Sequence, residues 1–278
     1  MLRLATLILF AVVTTGCPPP ATLSTGYRVD PVALRPTPHA GRLAVRTLAE
    51  GRPHRVYTTS GHLFLTYVPL LPYVTAEFER LDESVRLNAD AMAARGQTRN
   101  AVVAMPAAPP YGEYAFPASF ARAIADDLAG TGIFEGVEFV GDGPTDGFAY
   151  ELSGTLLETP LYQTSTSFGL GAAGVMLWLL PVPMSKTSAV VSADLALTEK
   201  ATGAVVWTER IHGAVSRVIM LYTSQGIVYG PNVLSYSHVY PPADAGVDRV
   251  SVFGWHFAAL RAAMAPVKTK IAQALATR

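Results

Sequence analysis

Few residues in this 278-residue chain have the type and spacing that chemistry demands. Cys17 is the sole cysteine, so it can neither close an internal disulfide nor build a paired-cysteine metal knuckle. The six histidines, His39, His54, His62, His212, His238 and His256, stand at least eight residues apart, and no two share a helix turn or strand pair as metal ligands would. Asp126 and Asp127 invite an acid–base reading, but adjacent helical residues point about 100° apart and do not converge. Both are expected on a solvated face. Asp142 and Asp146 lie in the Gly-rich loop 141–147, where no bidentate Glu follows to complete the six to eight oxygens of a calcium site. Gly169, Gly171 and Gly174 match a dinucleotide-binding glycine pattern, with Asp194 twenty residues beyond Gly174. Polar residues 163–167 precede those glycines, and only six residues separate Gly174 from Pro181, so the strand and helix that would seat a pyrophosphate are not expected. No GxSxG, HExxH or phosphate-loop motif occurs, and a Ser/His/Asp triad assembled by folding leaves no local signature. The expectation is a non-enzyme: no catalytic, cofactor-binding or metal-binding residue, and no cofactor.

Cys17 gains its meaning from what precedes it. Arg3 gives a basic start, and residues 4–13 form an apolar core that spans only ~15 Å as a helix, about half a bilayer. That length fits a secretory signal core better than a membrane anchor. A cysteine directly after Gly16 at the end of such a core resembles the lipobox of bacterial lipoproteins, although Thr14 stands where that motif usually carries Leu. The resemblance implies that Cys17 is lipidated (palmitate among its acyl chains) and becomes the mature N-terminus; an ordinary cleaved signal peptide is the alternative. Two or more acyl chains, each buried CH₂ contributing ~0.8 kcal/mol, anchor a protein stably where one does not. Pro18 follows where, by resemblance to enterobacterial lipoproteins, an Asp would signal inner-membrane retention, so the expected address is the outer membrane, facing the periplasm, with surface exposure as the other orientation.

Composition agrees with a folded exported domain. Half the residues are apolar and 15% are charged, which excludes an intrinsically disordered chain. Lys+Arg and Asp+Glu both number 21; without Arg3 the mature chain has 20 against 21. No basic field is available to hold nucleic acid. The sequence divides into a signal peptide, 1–16; the lipidated cysteine with a Pro-rich tether, 17–41, reaching ~25–30 Å as a coil; and one α+β domain, 42–278, a small antiparallel sheet packed against helices.

Within that domain, residues 43–48 suggest a strand, and 62–74 an apolar stretch marked by Pro69 and Pro72. The charged stretch 77–95 suggests a surface helix or ordered loop, and 101–105 a short strand. The clearest helix is 117–129, with Phe120, Ile124 and Leu128 on one stripe, Pro117 in its first turn and Gly130 and Gly132 beyond it. Strands are expected at 137–140 and 150–157. A hairpin is expected from 189–198 and 204–211, with Ala189, Val191, Ala193, Leu195 and Leu197 on one face and Val205 and Trp207 alternating opposite. A helical pattern from Phe253 to Leu275 should be kinked or split by Pro266.

Two runs lack charge. Residues 159–185 centre on Phe168–Trp178–Leu180; they could be a buried hairpin or loop, an apolar flap that touches a membrane or partner, or a span, for which about 17 apolar residues fall short of ~20. Residues 218–243, past Arg217, hold Tyr222, Tyr229, Tyr236 and Tyr240, either packed in a core or forming an aromatic contact surface. Phe168, Leu177, Trp178, Tyr229 and Tyr236 are the candidate partner contacts.

The segment Phe116-Pro117-Ala118-Ser119-Phe120-Ala121-Arg122-Ala123-Ile124-Ala125-Asp126-Asp127-Leu128 with Thr131-Gly132-Ile133-Phe134 resembles the helix–turn–strand of a group of uncharacterised bacterial lipoproteins. Leu177-Trp178 with Pro181, and the hairpin ending Thr202–Trp207, fit the same pattern over roughly residues 100–212. The architecture also resembles periplasmic auxiliary lipoproteins of envelope transport and secretion systems. The resemblance implies a fold and an address but carries over no functional residue. It implies a membrane-anchored protein that binds a partner in an envelope transport, secretion or assembly complex; the alternative is a peptidoglycan- or glycan-binding module using the tyrosines.

Overall fold

The computed structural model describes residues 21–22, 27, 41–53, 73–83, 103–104, 115–166, 168–170, 172–175, 177, 183, 185–219 and 253–277. The leader, Cys17, most of 17–41, residues 62–72 and 84–95, and the tyrosine-rich run from 220 lie outside the described residues.

Ten strands and three helices are described: β1 Ala21–Thr22, β2 Leu43–Arg46, β3 Ala49–Glu50, β4 Tyr73–Phe78, β5 Val103–Ala104, α1 Phe116–Ala129, β6 Val137–Gly141, β7 Tyr150–Glu158, β8 Leu161–Thr166, α2 Ala172–Val175, β9 Ser185–Glu199, β10 Val205–Ile219 and α3 Gly254–Ala276. The α+β class holds, but the sheet is neither small nor wholly antiparallel. It has eight strands, with β2 parallel to both β6 and β7. Strand β9 is its axis. One edge pairs with β10 from Ser185 to Thr198; the other pairs first with β8 and then with β7, which join at Thr159-Pro160. Beyond them lie β4 against β8, and β2 and β3 against β7. A separate pair joins β1 to β5, and Tyr27 packs edge-on to Phe257 at 5.9 Å, so residues from the 17–41 stretch lie against the domain at two places.

The hairpin alternation reads correctly: Ala189, Val191, Ala193, Leu195 and Leu197 are all buried, and the strands simply run longer at their far ends. Val205 and Trp207 do not alternate as expected. The register shifts between them, leaving Val205 exposed while Val206 and Trp207 rest against the edge of the core. A bulge of this kind breaks the period of two that the expectation relied on. The charged stretch 77–95, expected as a helix or ordered loop, begins as the end of β4 and continues through one helical turn at Leu81–Glu83, beyond which it lies outside the described residues.

Helix α1 begins at Phe116 with Pro117 in its first turn and stops at Gly130. It packs on β6 and β2 on one side and on α3 on the other. Cover on two sides explains why Asp127 is fully buried rather than solvated, while Asp126 remains exposed. Phe116 stacks on Phe120 at 4.8 Å, and Phe253 and Phe257 meet these rings edge-on at 5.0 and 5.1 Å. Helix α3 is not split at Pro266. Ala262 and Pro266 both face solvent, so the carbonyl that loses its donor to proline stays open to water.

The same helix sits closely on β10. A Cβ built on Gly213 would lie 2.0 Å from the Ala259 carbonyl oxygen and 2.7 Å from the Ala263 nitrogen, both rigid backbone. Gly213→Ala is therefore expected to destabilise the chain by roughly 1–3 kcal/mol or more through overpacking. The control Gly136→Ala, whose nearest neighbour is the flexible Arg42 side chain at 3.7 Å, should stay within about 0.5 kcal/mol. Equal urea midpoints for the two variants would contradict this packing.

Candidate functional site

The densest chemistry on the described residues is a buried charge centre that no local motif announces. Arg52, just past β3, donates from Nε to Glu50 at 2.8 Å and from one terminal nitrogen to Glu50 at 2.6 Å and Asp82 at 3.1 Å. Its other terminal nitrogen reaches Asp82 at 2.8 Å and the Thr159 hydroxyl at 3.0 Å. A guanidinium has five N–H donors, and all five are satisfied here. Asp82 also accepts the backbone N–H of Phe116 at 2.9 Å. Its charge thus lies at the positive end of α1. The Thr159 hydroxyl donates to the Glu79 carbonyl, and Phe116 lies under the guanidinium, 5.5 Å from Arg52 Cζ. Arg80 bonds Glu50 at 3.1 Å from the exposed side and lies within 3.0 Å of Glu83.

Burial works against the charge on Arg52, but the carboxylates of Glu50 and Asp82 outweigh it and raise the guanidinium's pKa. Burial likewise opposes ionisation of Glu50, yet the hydrogen bonds and charge of Arg52, with Arg80 beyond, hold its carboxyl below the ordinary value. Such a group is locked in one protonation state. It binds structure together and has no proton to exchange near neutrality.

His256, in the first turn of α3, completes the centre. Its Nε2 lies 3.0 Å from the Thr159 carbonyl oxygen, which can only accept, so Nε2 carries the proton and Nδ1 is left as a buried lone pair without a partner. The ring is fully buried, 4.7 Å from the Phe116 ring. A second proton would place an N–H where no acceptor exists. Burial is the main reason the His256 pKa falls to about 4, with the Arg52 charge adding to it against the Thr159 carbonyl and Asp82. Deeper along the helices, Lys268 of α3 and Asp127 of α1 meet at 2.8 Å with almost no exposure.

The expected contact residues divide. Phe168 and Leu170 project at 40% and 54% exposure just past β8, and Phe168 holds a positive φ of 56°, a conformation that costs a non-glycine residue free energy. Leu177 is half-buried. Trp178, Tyr229, Tyr236 and Cys17 lie outside the described residues. Strand β8 does precede the glycine pattern, contrary to expectation, because its buried positions after Leu161 are polar and conceal it. It runs antiparallel to β9 and leads only to the four-residue α2, so the parallel strand–helix unit of a dinucleotide site is not formed. Asp194 is in β9, as expected, bonded to Arg210 at 2.7 Å. Among the described residues no helix is long and apolar enough to cross a membrane, and no three metal-ligating side chains converge.

No family model matches the chain, and no curated protein matches it. Among solved structures it is similar to a "putative lipoprotein" from Caulobacter crescentus CB15, with 18% identity and a TM-score of 0.24 over 49% of this chain and 73% of that one. It is also similar to a Xanthomonas campestris protein of the family DUF330, with 12% identity and a TM-score of 0.32 over 88% of this chain and 91% of that one. Likenesses at these scores transfer neither fold family nor activity.

The buried imidazole makes stability depend on pH. Its folded pKa of about 4 lies below the ordinary 6.5, so the unfolded chain binds more protons between those values. The contribution is fully present above pH 6.5 and is lost as pH falls through 4, to a total of roughly 3 kcal/mol from this group. Urea midpoints measured from pH 7 to pH 4 should fall less steeply in His256→Phe than in the wild type. Parallel profiles would contradict the neutral, buried imidazole.

Proposed function

We propose that this chain is a lipid-anchored, non-catalytic protein of the bacterial envelope, acylated at Cys17 and held at the outer membrane with its α+β domain in the periplasm. The observation that carries the reading is the sole cysteine standing directly after Gly16 at the end of the apolar core 4–13. Acyl chains on that thiol supply the anchor.

The buried charges among the described residues fit a structural role. Arg52 is saturated by Glu50, Asp82 and Thr159, and Lys268 is spent on Asp127. These groups hold segments of chain together at neutral pH and offer no acid–base pair to a substrate. The segment beginning at Phe168 supports a contact surface: two apolar side chains stand out from the end of the sheet, on a backbone held in a costly conformation. The partner in this reading is a protein of an envelope transport, secretion or assembly complex.

Palmitate labelling with membrane fractionation tests the anchor. Wild-type protein should take up label and sediment with membranes, whereas Cys17→Ala should do neither. An unlabelled wild type in the soluble fraction would contradict the reading.

A further inference from the structure

The inward face of the sheet changes character along β9. From Ala189 to Leu197 it is aliphatic and lies under α3; beyond Ala189, toward the start of the strand, it becomes polar. Register places Gln163, Thr187 and Arg217 in one row across β8, β9 and β10, and Ser165 and Ser185 in the next. Residues directly opposite share a face, with Cβ atoms about 4.5–5.5 Å apart. These positions continue the buried odd-numbered series of β9 and β10, in which Ile211 is buried and Gly213 touches α3.

Three features of this strip ask for a ligand. Ser185 and Thr187 are 6% and 5% exposed, and their hydroxyls have no hydrogen-bond partner. A buried hydroxyl left so costs about 1–3 kcal/mol. Arg217 is half-buried, beside Thr187, and no described ion pair engages it, in contrast to the saturated Arg52. Among the described residues no carboxylate lies opposite Thr187 or Ser185 on either neighbouring strand. A guanidinium with two neighbouring hydroxyl donors and no competing carboxylate matches the donor set that a tetrahedral oxyanion accepts.

The geometry points to a binding site for a phosphate group at this end of the sheet, held by Arg217, Thr187 and Ser185. Free phosphate and a phospholipid headgroup share that chemistry. The site is independent of the anchor and stands whether or not Cys17 is acylated.

The test titrates the full-length chain in a neutral detergent with inorganic phosphate and, separately, with dihexanoylphosphatidylglycerol, followed by calorimetry. Arg217→Gln should weaken binding at least tenfold, and Thr187→Val, nearly isosteric, at least threefold. Thr187→Val should also leave the thermal midpoint without anion unchanged or raised, since it removes an unsatisfied hydroxyl. Binding of phosphate, lost in both variants, supports the site with a soluble source. Binding of the lipid alone, lost in both, supports it with a headgroup source. Failure of the wild type to bind either probe, or equal binding by wild type and both variants, overturns it.

Discussion

A single buried guanidinium holds the architecture in register. Arg52 joins the segment after β3 to the helical turn carrying Asp82 and to the β7–β8 junction at Thr159. Asp82 then accepts the first N–H of α1, and the Thr159 carbonyl accepts a hydrogen bond from His256 Nε2 of α3. Five parts of the chain are therefore linked, the Asp82 turn and the β7–β8 junction directly to Arg52 and the two helices through them. Removing a charge from water is costly, and the cost is recovered only when every donor finds an acceptor. Here every donor does, which makes the arrangement stringent: a shift of any one segment leaves a buried charge or N–H unpaired.

The aromatic cluster is built on that centre. Phe116 lies under Arg52 and contacts Phe120, Phe253 and His256, so the ring stack that joins α1 to α3 begins where the charges end. Asp127 and Lys268 repeat the device further along the same two helices. Close contact of α3 with β10 at Gly213 fixes the third side. The aliphatic part of the sheet is thereby committed to packing, while the polar end at Ser185, Thr187 and Arg217 is left to a different task.

Legibility in the sequence follows the range of each interaction. The α1 helix is plain from Phe120, Ile124, Leu128 and Pro117, and the β9–β10 hairpin from alternating Ala189–Leu197, because both signals are local. Strand β8 is hidden because, after Leu161, its buried positions are the polar Gln163, Ser165 and Thr166, so no hydrophobic period marks it. Without it and β4, the sheet reads as smaller than eight strands. Asp127 reads as solvated because its cover is a helix more than a hundred residues away in sequence. The charge centre is beyond sequence reading for the same reason: Asp82 lies 30 residues from Arg52, and Thr159 lies 107. The candidate contact at Phe168 was legible as an apolar run; the phosphate-binding strip was not, since Thr187 and Arg217 are brought together only by register.

The most direct test of the central claim is a double-mutant cycle on Arg52→Met and Asp82→Leu, read by urea denaturation at pH 7. Each single variant strands a buried charge and should lose about 3–5 kcal/mol. The double variant should recover at least about 2 kcal/mol of the summed loss, because apolar side chains replace both charges. Losses that add to within about 0.5 kcal/mol would contradict a coupled buried pair at the centre of the fold.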